Sequence, residues 1–209
     1  MLALAAALLP WGNPGEPRAP WREVRYAGRT SYRIVAAGAE AILSEESRDQ
    51  NSALLQETRL DPRGVTLRWR WRVLEHPMGA DPGVRAQDDR AAAVLVIVRR
   101  SLLPWRTSAL MYQWTLARPR GEWSRSPYSQ QVRTLVLENA SADSAWREES
   151  RDLAADLELA FGRLPTRIEA IGVICDTDNT GARARAEFGE IRVERPQIRD
   201  DPGTWADER

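Results

Sequence analysis

The chain is nearly devoid of the residues on which thiol and imidazole chemistry depends: among 209 residues there is one cysteine and one histidine. A lone Cys175 excludes an intramolecular disulfide, and it follows the apolar run Ile171-Gly172-Val173-Ile174, where a small buried hydrophobe fits better than a reactive thiolate. His76, in Glu75-His76-Pro77, marks a turn, and without a second histidine it seeds no imidazole-rich zinc site. Neither sign of charge is in excess, with 30 Lys plus Arg against 30 Asp plus Glu, so no global positive field is available to hold a phosphate backbone and nucleic acid is not an expected partner. No apolar run has the length of a transmembrane helix. The GxSxG elbow, the P-loop, the CxxC pair and the GxGxxG fingerprint are all missing, which disfavours the commonest enzyme classes and leans the expectation toward a non-catalytic protein.

What is present reads as one β-rich domain. The length suits a single core, and a hydrophobic fraction of 43% with 29% charged residues is that of an ordinary globular protein. Apolar residues fall into runs of strand length at Ser31 to Ala36, Ala53 to Leu60, Thr66 to Leu74, Ala91 to Arg99, Ser108 to Leu116, Thr134 to Glu138, Glu169 to Asp176 and Ala186 to Val193. Thr66 to Leu74 alternates strictly, with Leu67, Trp69, Trp71 and Val73 on one face and Arg68, Arg70 and Arg72 on the other, the pattern of a half-buried strand. Ala91 to Val98 is apolar throughout, as a strand covered on both faces is. Leu153, Leu157, Phe161 and Leu164 recur instead at helical spacing within Arg151 to Leu164, with Gly162 and Pro165 as stop signals. The expected fold is therefore all-β, a jelly-roll-like antiparallel β-sandwich with one short helix packed across it.

Met1 to Trp11, MLALAAALLPW, is apolar over the length of a signal-peptide core and too short to span a bilayer, though no basic stretch precedes it. The expected organisation is a signal segment, cut short if the gene start is placed late, with a Pro- and Gly-rich linker over residues 1–20, a single β-sandwich domain over 21–195, and a charged tail over 196–209. A leader implies a secreted or periplasmic protein.

Three features carry candidate chemistry. Between two apolar strands lies Asp176-Thr177-Asp178-Asn179-Thr180-Gly181, and DTDNTGARARAE matches a calcium-loop template, with Asp176, Asp178 and Thr180 at the first, third and fifth positions, Gly181 at the sixth and Glu187 at the twelfth. Strand-like flanks argue against an EF-hand, which needs helices on both sides. Calcium held by Asp176 and Asp178 in another geometry is one expectation, and an Asp- and Asn-rich turn bonding its own backbone is the other. Asp88 and Asp89 precede the apolar strand and suit arginine pairing, a metal site or paired-carboxylate chemistry. Nine tryptophans suggest aromatic surfaces for a sugar ring, although core packing is the first expectation for any one of them; in Tyr112-Gln113-Trp114, alternation puts Tyr112 and Trp114 on one face, taken here as exposed.

Taken in order, Leu67-Arg68-Trp69-Arg70-Trp71-Arg72-Val73, Asp88-Asp89-Arg90-Ala91-Ala92, Tyr112-Gln113-Trp114, Arg151-Asp152-Leu153 leading to Phe161-Gly162 and Pro165, and Asp176-Thr177-Asp178-Asn179-Thr180 followed by Phe188-Gly189-Glu190-Ile191 resemble a bacterial family, domain of unknown function 3047. The resemblance spans Tyr32 to Val193. It implies a β-sandwich, usually exported, and no particular reaction. Two departures stand out: Gln87 occupies a place where an acidic residue often precedes the Asp pair, and Leu67 to Val73 carries Arg where Lys is common.

The leading expectation is an exported, non-catalytic domain that binds a saccharide or another envelope component through Asp88, Asp89, Tyr112, Trp114, Asp176, Asp178, Asn179 and Thr180. Its rivals are a glycan-active hydrolase or lyase using the same carboxylates, and a purely structural role in which the aspartates lock strand ends.

Overall fold

The structure, a computed structural model, describes residues 4–100 and 107–196. Its strands are β1 (Leu4–Leu9), β2 (Trp21–Ala27), β3 (Ser31–Ala37), β4 (Glu40–Arg48), β5 (Asn51–Leu60), β6 (Thr66–Glu75), β7 (Arg90–Arg99), β8 (Thr107–Trp114), β9 (Trp123–Arg125), β10 (Val132–Glu138), β11 (Arg147–Asp152), β12 (Arg167–Asp176), β13 (Arg183–Phe188) and β14 (Ile191–Pro196), with a single helix, α1 (Leu153–Phe161), between β11 and β12. They form two seven-stranded sheets. The all-β, jelly-roll-like sandwich with one helix is thus the observed fold.

Sheet A centres on the alternating strand β6. One edge of β6 takes β11, and the other takes β13 and β14 in line, because Phe188 pairs with Trp71 and Arg192 with Arg68. The single strand expected over Ala186 to Val193 is therefore two, interrupted where Gly189 N–H returns to the carbonyl of Arg70 at 2.9 Å. Beyond β13 lie β4 and β3, and β1 lies along β14. The apolar residues Leu4–Leu9, expected to belong to a leader, thus occupy a place in this sheet, and the following Trp11 is 1% exposed and stacks on Trp21 with ring centroids 4.4 Å apart. No helix among the described residues is long and apolar enough to cross a membrane.

Sheet B runs β2-β5-β12-β7-β8-β10-β9. It departs from a purely antiparallel sheet at one place: β8 and β10 are parallel, because the β9–β10 hairpin folds back and slots β10 between β9 and β8. Gly172 in β12 permits a close approach to β5, since a Cβ there would stand 2.1 Å from the carbonyl oxygen of Leu54. The helix α1 begins where Asp152 accepts the N–H of Ala155 at 3.1 Å and ends at Gly162, whose φ of 72° suits glycine. It carries the chain from sheet A to sheet B and buries Leu153, Leu157, Ala160 and Phe161.

The interior between the sheets is aromatic. From β6, Trp69 and Trp71 meet Tyr112 and Trp114 of β8 and Phe188 of β13, with ring centroids 5.4 to 6.2 Å apart. Each such ring buries about 150–250 Å², which at about 25 cal/mol per Å² stabilises the fold by roughly 4–6 kcal/mol before entropy is counted. Cys175 is fully buried there, and burial pushes its thiol well above the ordinary range, as a core cysteine requires.

One inward acid is left without a partner among the described residues. Glu45 of β4 is 1% exposed, stands in register with Tyr32 and Ala186, and has no hydrogen-bond partner on either carboxylate oxygen. Burial pushes its pKa well above the ordinary carboxylate range. A group whose folded pKa exceeds its unfolded one contributes fully below the unfolded value, and that contribution fades as pH rises toward the folded one. Replacing Glu45 by Gln removes this slope. The melting temperatures of Glu45→Gln and the parent should be close at about pH 4 and diverge in favour of the variant as pH rises above the ordinary carboxylate range; parallel profiles would mean that burial leaves the Glu45 carboxyl unshifted.

Candidate functional site

The outer face of sheet B, turned away from the aromatic core, is set by the alternation of β12. Cys175 points inward, as does Thr177 just beyond the strand, whose hydroxyl meets that of Ser47 on sheet A at 2.8 Å; Ile174 and Asp176 point outward. Register then places Ala53 beside Ile174, Asn51 and Arg90 on either side of Asp176, and Gln113 beside Ala93. The face has an apolar floor of Ala53, Ala93, Leu95, Met111 and Ile174 and a polar end at Asp176.

At that end two chain segments converge. The segment entering β7 brings Asp88, Asp89 and Arg90, and the turn leaving β12 brings Asp178, Asn179 and Thr180. Asp89, fully buried, accepts the backbone N–H of Asn179 at 3.1 Å and its side-chain amide at 3.2 Å on one oxygen, and the N–H of Thr180 at 2.8 Å together with its hydroxyl on the other. The turn is closed by Gly181, at φ 65°, donating to the carbonyl of Thr177 at 3.1 Å. Asn179 also donates to Asp178 at 3.0 Å, and its side-chain oxygen accepts from the hydroxyl of Tyr128, whose ring lies 4.8 Å from the Arg85 guanidinium. The second half of the calcium-loop template does not take part: Glu187 lies in β13 and accepts Arg72 Nε at 2.7 Å.

Arg90 lies between the two segments. It is 4% exposed, donates to Asp176 Oδ2 at 3.2 Å and to the carbonyl of Asp88 at 3.0 Å, and pairs with the Asp88 carboxylate. Burial opposes its charge, yet the carboxylates of Asp176 and Asp88 outweigh that and hold its pKa above the ordinary value. For the acids burial prevails instead. It raises Asp88 despite Arg90, and it pushes Asp176 up to about 8, with Asp178 and Asp89 adding repulsion. Four carboxylates thus meet one guanidinium; among the described residues no other cationic side chain forms an ion pair with any of them. Asp89, Asp176 and Asp178 each bring an oxygen within 4.8 Å of the others.

The structure therefore brings together six of the eight expected residues: Asp88, Asp89, Asp176, Asp178, Asn179 and Thr180. Tyr112 and Trp114 correct the expectation. They do share a face, but it is the inner one, and both are fully buried. The Tyr112 hydroxyl donates to Asp156 on α1 at 2.7 Å, and Trp114 Nε1 donates to the carbonyl of Ala140 at 2.8 Å. Trp114 still borders the polar end through a cavity of about 470 Å³ that it lines with His76, Asp89 and Arg90. Alternation separates Gln113 from its neighbours without saying which side is the core, and here the aromatic pair completes the Trp69–Trp71 cluster. Gln113 is the residue delivered to the outer face. Sequence reasoning also passed over Asn51, Arg90, Tyr128 and the 60%-exposed Tyr26 of β2; a polar residue bounding or interrupting an apolar strand was the available signal for the first two and for Gln113.

The profile of the family described as "Protein of unknown function (DUF3047)" matches residues 19–192. The chain belongs to that family. No curated protein matches it. Among solved structures it is similar to the endoglucanase cel12A from Rhodothermus marinus, at TM-score 0.52 and 11% identity over 91% of this chain and 99% of that one. It is also similar to a family 12 xyloglucanase from Bacillus licheniformis, at TM-score 0.49 and 8% identity over 91% and 100%. The first likeness shows the sandwich fold.

Removing either pin should be costly. Asp89→Ala strands the N–H groups of Asn179 and Thr180 and should lower stability by about 3 kcal/mol in urea unfolding; a loss under about 0.5 kcal/mol would mean that the turn holds itself. Arg90→Met leaves buried carboxylates uncompensated and should cost about 3–5 kcal/mol at pH 8. That deficit should shrink toward pH 5, where the carboxyls take up protons, and a deficit independent of pH would assign the loss to packing.

Proposed function

We propose that this protein is an exported, non-catalytic binding domain that takes a saccharide, or another polyhydroxylated envelope component, on the outer face of sheet B. One observation carries the reading. Three acceptor oxygens on this face, Asn51 Oδ1, Gln113 Oε1 and Asp176 Oδ1, are buried without a hydrogen-bond partner, and each such atom costs about 1–3 kcal/mol when left unsatisfied. They border the apolar floor of Ala53, Ala93, Leu95, Met111 and Ile174. A sugar matches both halves: its hydroxyls donate to bare acceptors, and the C–H face of its ring lies on apolar surface. Tyr26, on the same face of the edge strand β2, offers an exposed ring at the margin. Export is supported by the family resemblance.

A second reading, a glycan hydrolase or lyase, draws support from Asp176, whose pKa near 8 keeps it protonated at neutral pH beside Asp178, as a general acid must be. Electrophoresis through gels containing xyloglucan, mixed-linkage glucan, xylan, galactan or soluble peptidoglycan fragments tests the proposal. At least one polymer should retard the parent. Gln113→Leu, which removes the bare amide without opening a hole, should weaken that affinity by about tenfold, or about 1.4 kcal/mol. Retardation by none of them would remove the basis for saccharide binding, and release of reducing ends that Asp176→Asn abolishes without loss of affinity would favour the enzyme.

A further inference from the structure

We infer that Asp176 and Asp178, with Asp89 behind them, form a calcium site at the polar end of sheet B. The carboxylates alone would not justify this, since acidic turns are common; the decisive feature is Asp176 Oδ1. The Asp176 side chain is 5% exposed, its Oδ2 is engaged by Arg90, and its Oδ1 has no partner. That atom lies in a group whose ligand oxygens, one each from Asp89, Asp176 and Asp178, fall within 4.8 Å of one another. Oxygens that share one calcium ion, each at about 2.4 Å, lie no more than about 4.8 Å apart. The group falls within that limit.

The division of labour follows from lone pairs. Asp89 accepts four hydrogen bonds from Asn179 and Thr180, which fills a carboxylate; it supplies charge and holds the turn. Asp176 Oδ1 is bare, and Asp178 accepts only the Asn179 amide among the described residues, so these two ligate directly. Counting Asp88 and Arg90, the group sets four carboxyl groups against one guanidinium, and a divalent ion would favour the ionised form of Asp176 and offset its charge. Because two side chains leave most of calcium's six to eight positions to water, the site is open. Its affinity belongs with that of extracellular modules, whose dissociation constants are about 0.1–1 mM.

The test uses calcium alone, so it stands or falls independently of saccharide binding. The full chain, stripped with chelator at pH 7.5, is titrated with calcium chloride by calorimetry and followed by thermal unfolding. The parent should bind about one equivalent and melt several degrees higher in calcium than in chelator. Asp176→Asn, which keeps the shape of the side chain but cannot ionise, should fold and show no response to calcium. Asp178→Asn should weaken binding by at least tenfold. Absence of heat and of any melting shift in the parent at about 10 mM calcium, ten times the weakest constant of that class, would overturn the assignment. So would an unchanged calcium response in both variants, which would place the ion elsewhere.

Discussion

Everything at the polar end of sheet B depends on one buried cation. A guanidinium withdrawn from water needs carboxylates around it, and Arg90 has them from both sides: Asp88 two residues before it in the chain and Asp176 across the β7–β12 ladder. The chain has no lysine, so every cationic side chain but His76 is a guanidinium that keeps its charge at any physiological pH. Arg90 thereby fixes the entry of β7 against the exit of β12, and Asp89, next to it in sequence, reaches over to close the turn. The arrangement is overcharged on the acidic side, and that excess distinguishes it from an ordinary locked strand end.

The two faces of sheet B differ in chemistry. Its inner face, with Val94, Val96, Tyr112, Trp114, Ile171 and Val173, closes the core with sheet A. Its outer face combines small apolar side chains with unpartnered oxygens, a mixture that a purely structural surface has no reason to keep buried. The structural role first considered for the aspartates is real for Asp89, whose oxygens are saturated by the turn. It does not account for Asp176 Oδ1 or Gln113 Oε1.

Much of this was legible in the residues, and the failures have physical causes. Thr66 to Leu74 announced β6 because tryptophan and arginine alternate without interruption, and Leu153, Leu157 and Phe161 announced α1 by their spacing. The strands β4 and β11 escaped notice because their cores contain Glu45 and Glu149, acids that the fold buries at 1% and 8% exposure; a pattern that treats glutamate as outward cannot find them. Asp88, Asp89 and the 176–180 turn were recognisable as chemistry, but their convergence was not, because it depends on β12 and β7 being neighbours, which sequence order does not state. Tyr112 and Trp114 were given the wrong side for a related reason: a period of two divides a strand into faces, and only the partner sheet decides which face is dry.

The central claim is that ligand is taken on the outer face of sheet B, at its Asp176 end. Mapping amide and side-chain NH₂ shifts in isotope-labelled protein, on addition of a soluble oligosaccharide from a polymer that retards it, tests this most directly. The account predicts the largest changes at Asn51, Ala93, Gln113 and Ile174 to Asp176, with the Asn51 and Gln113 side-chain amides among them. Changes confined to the charged outer face of sheet A, around Arg68, Arg70 and Glu148, would contradict it.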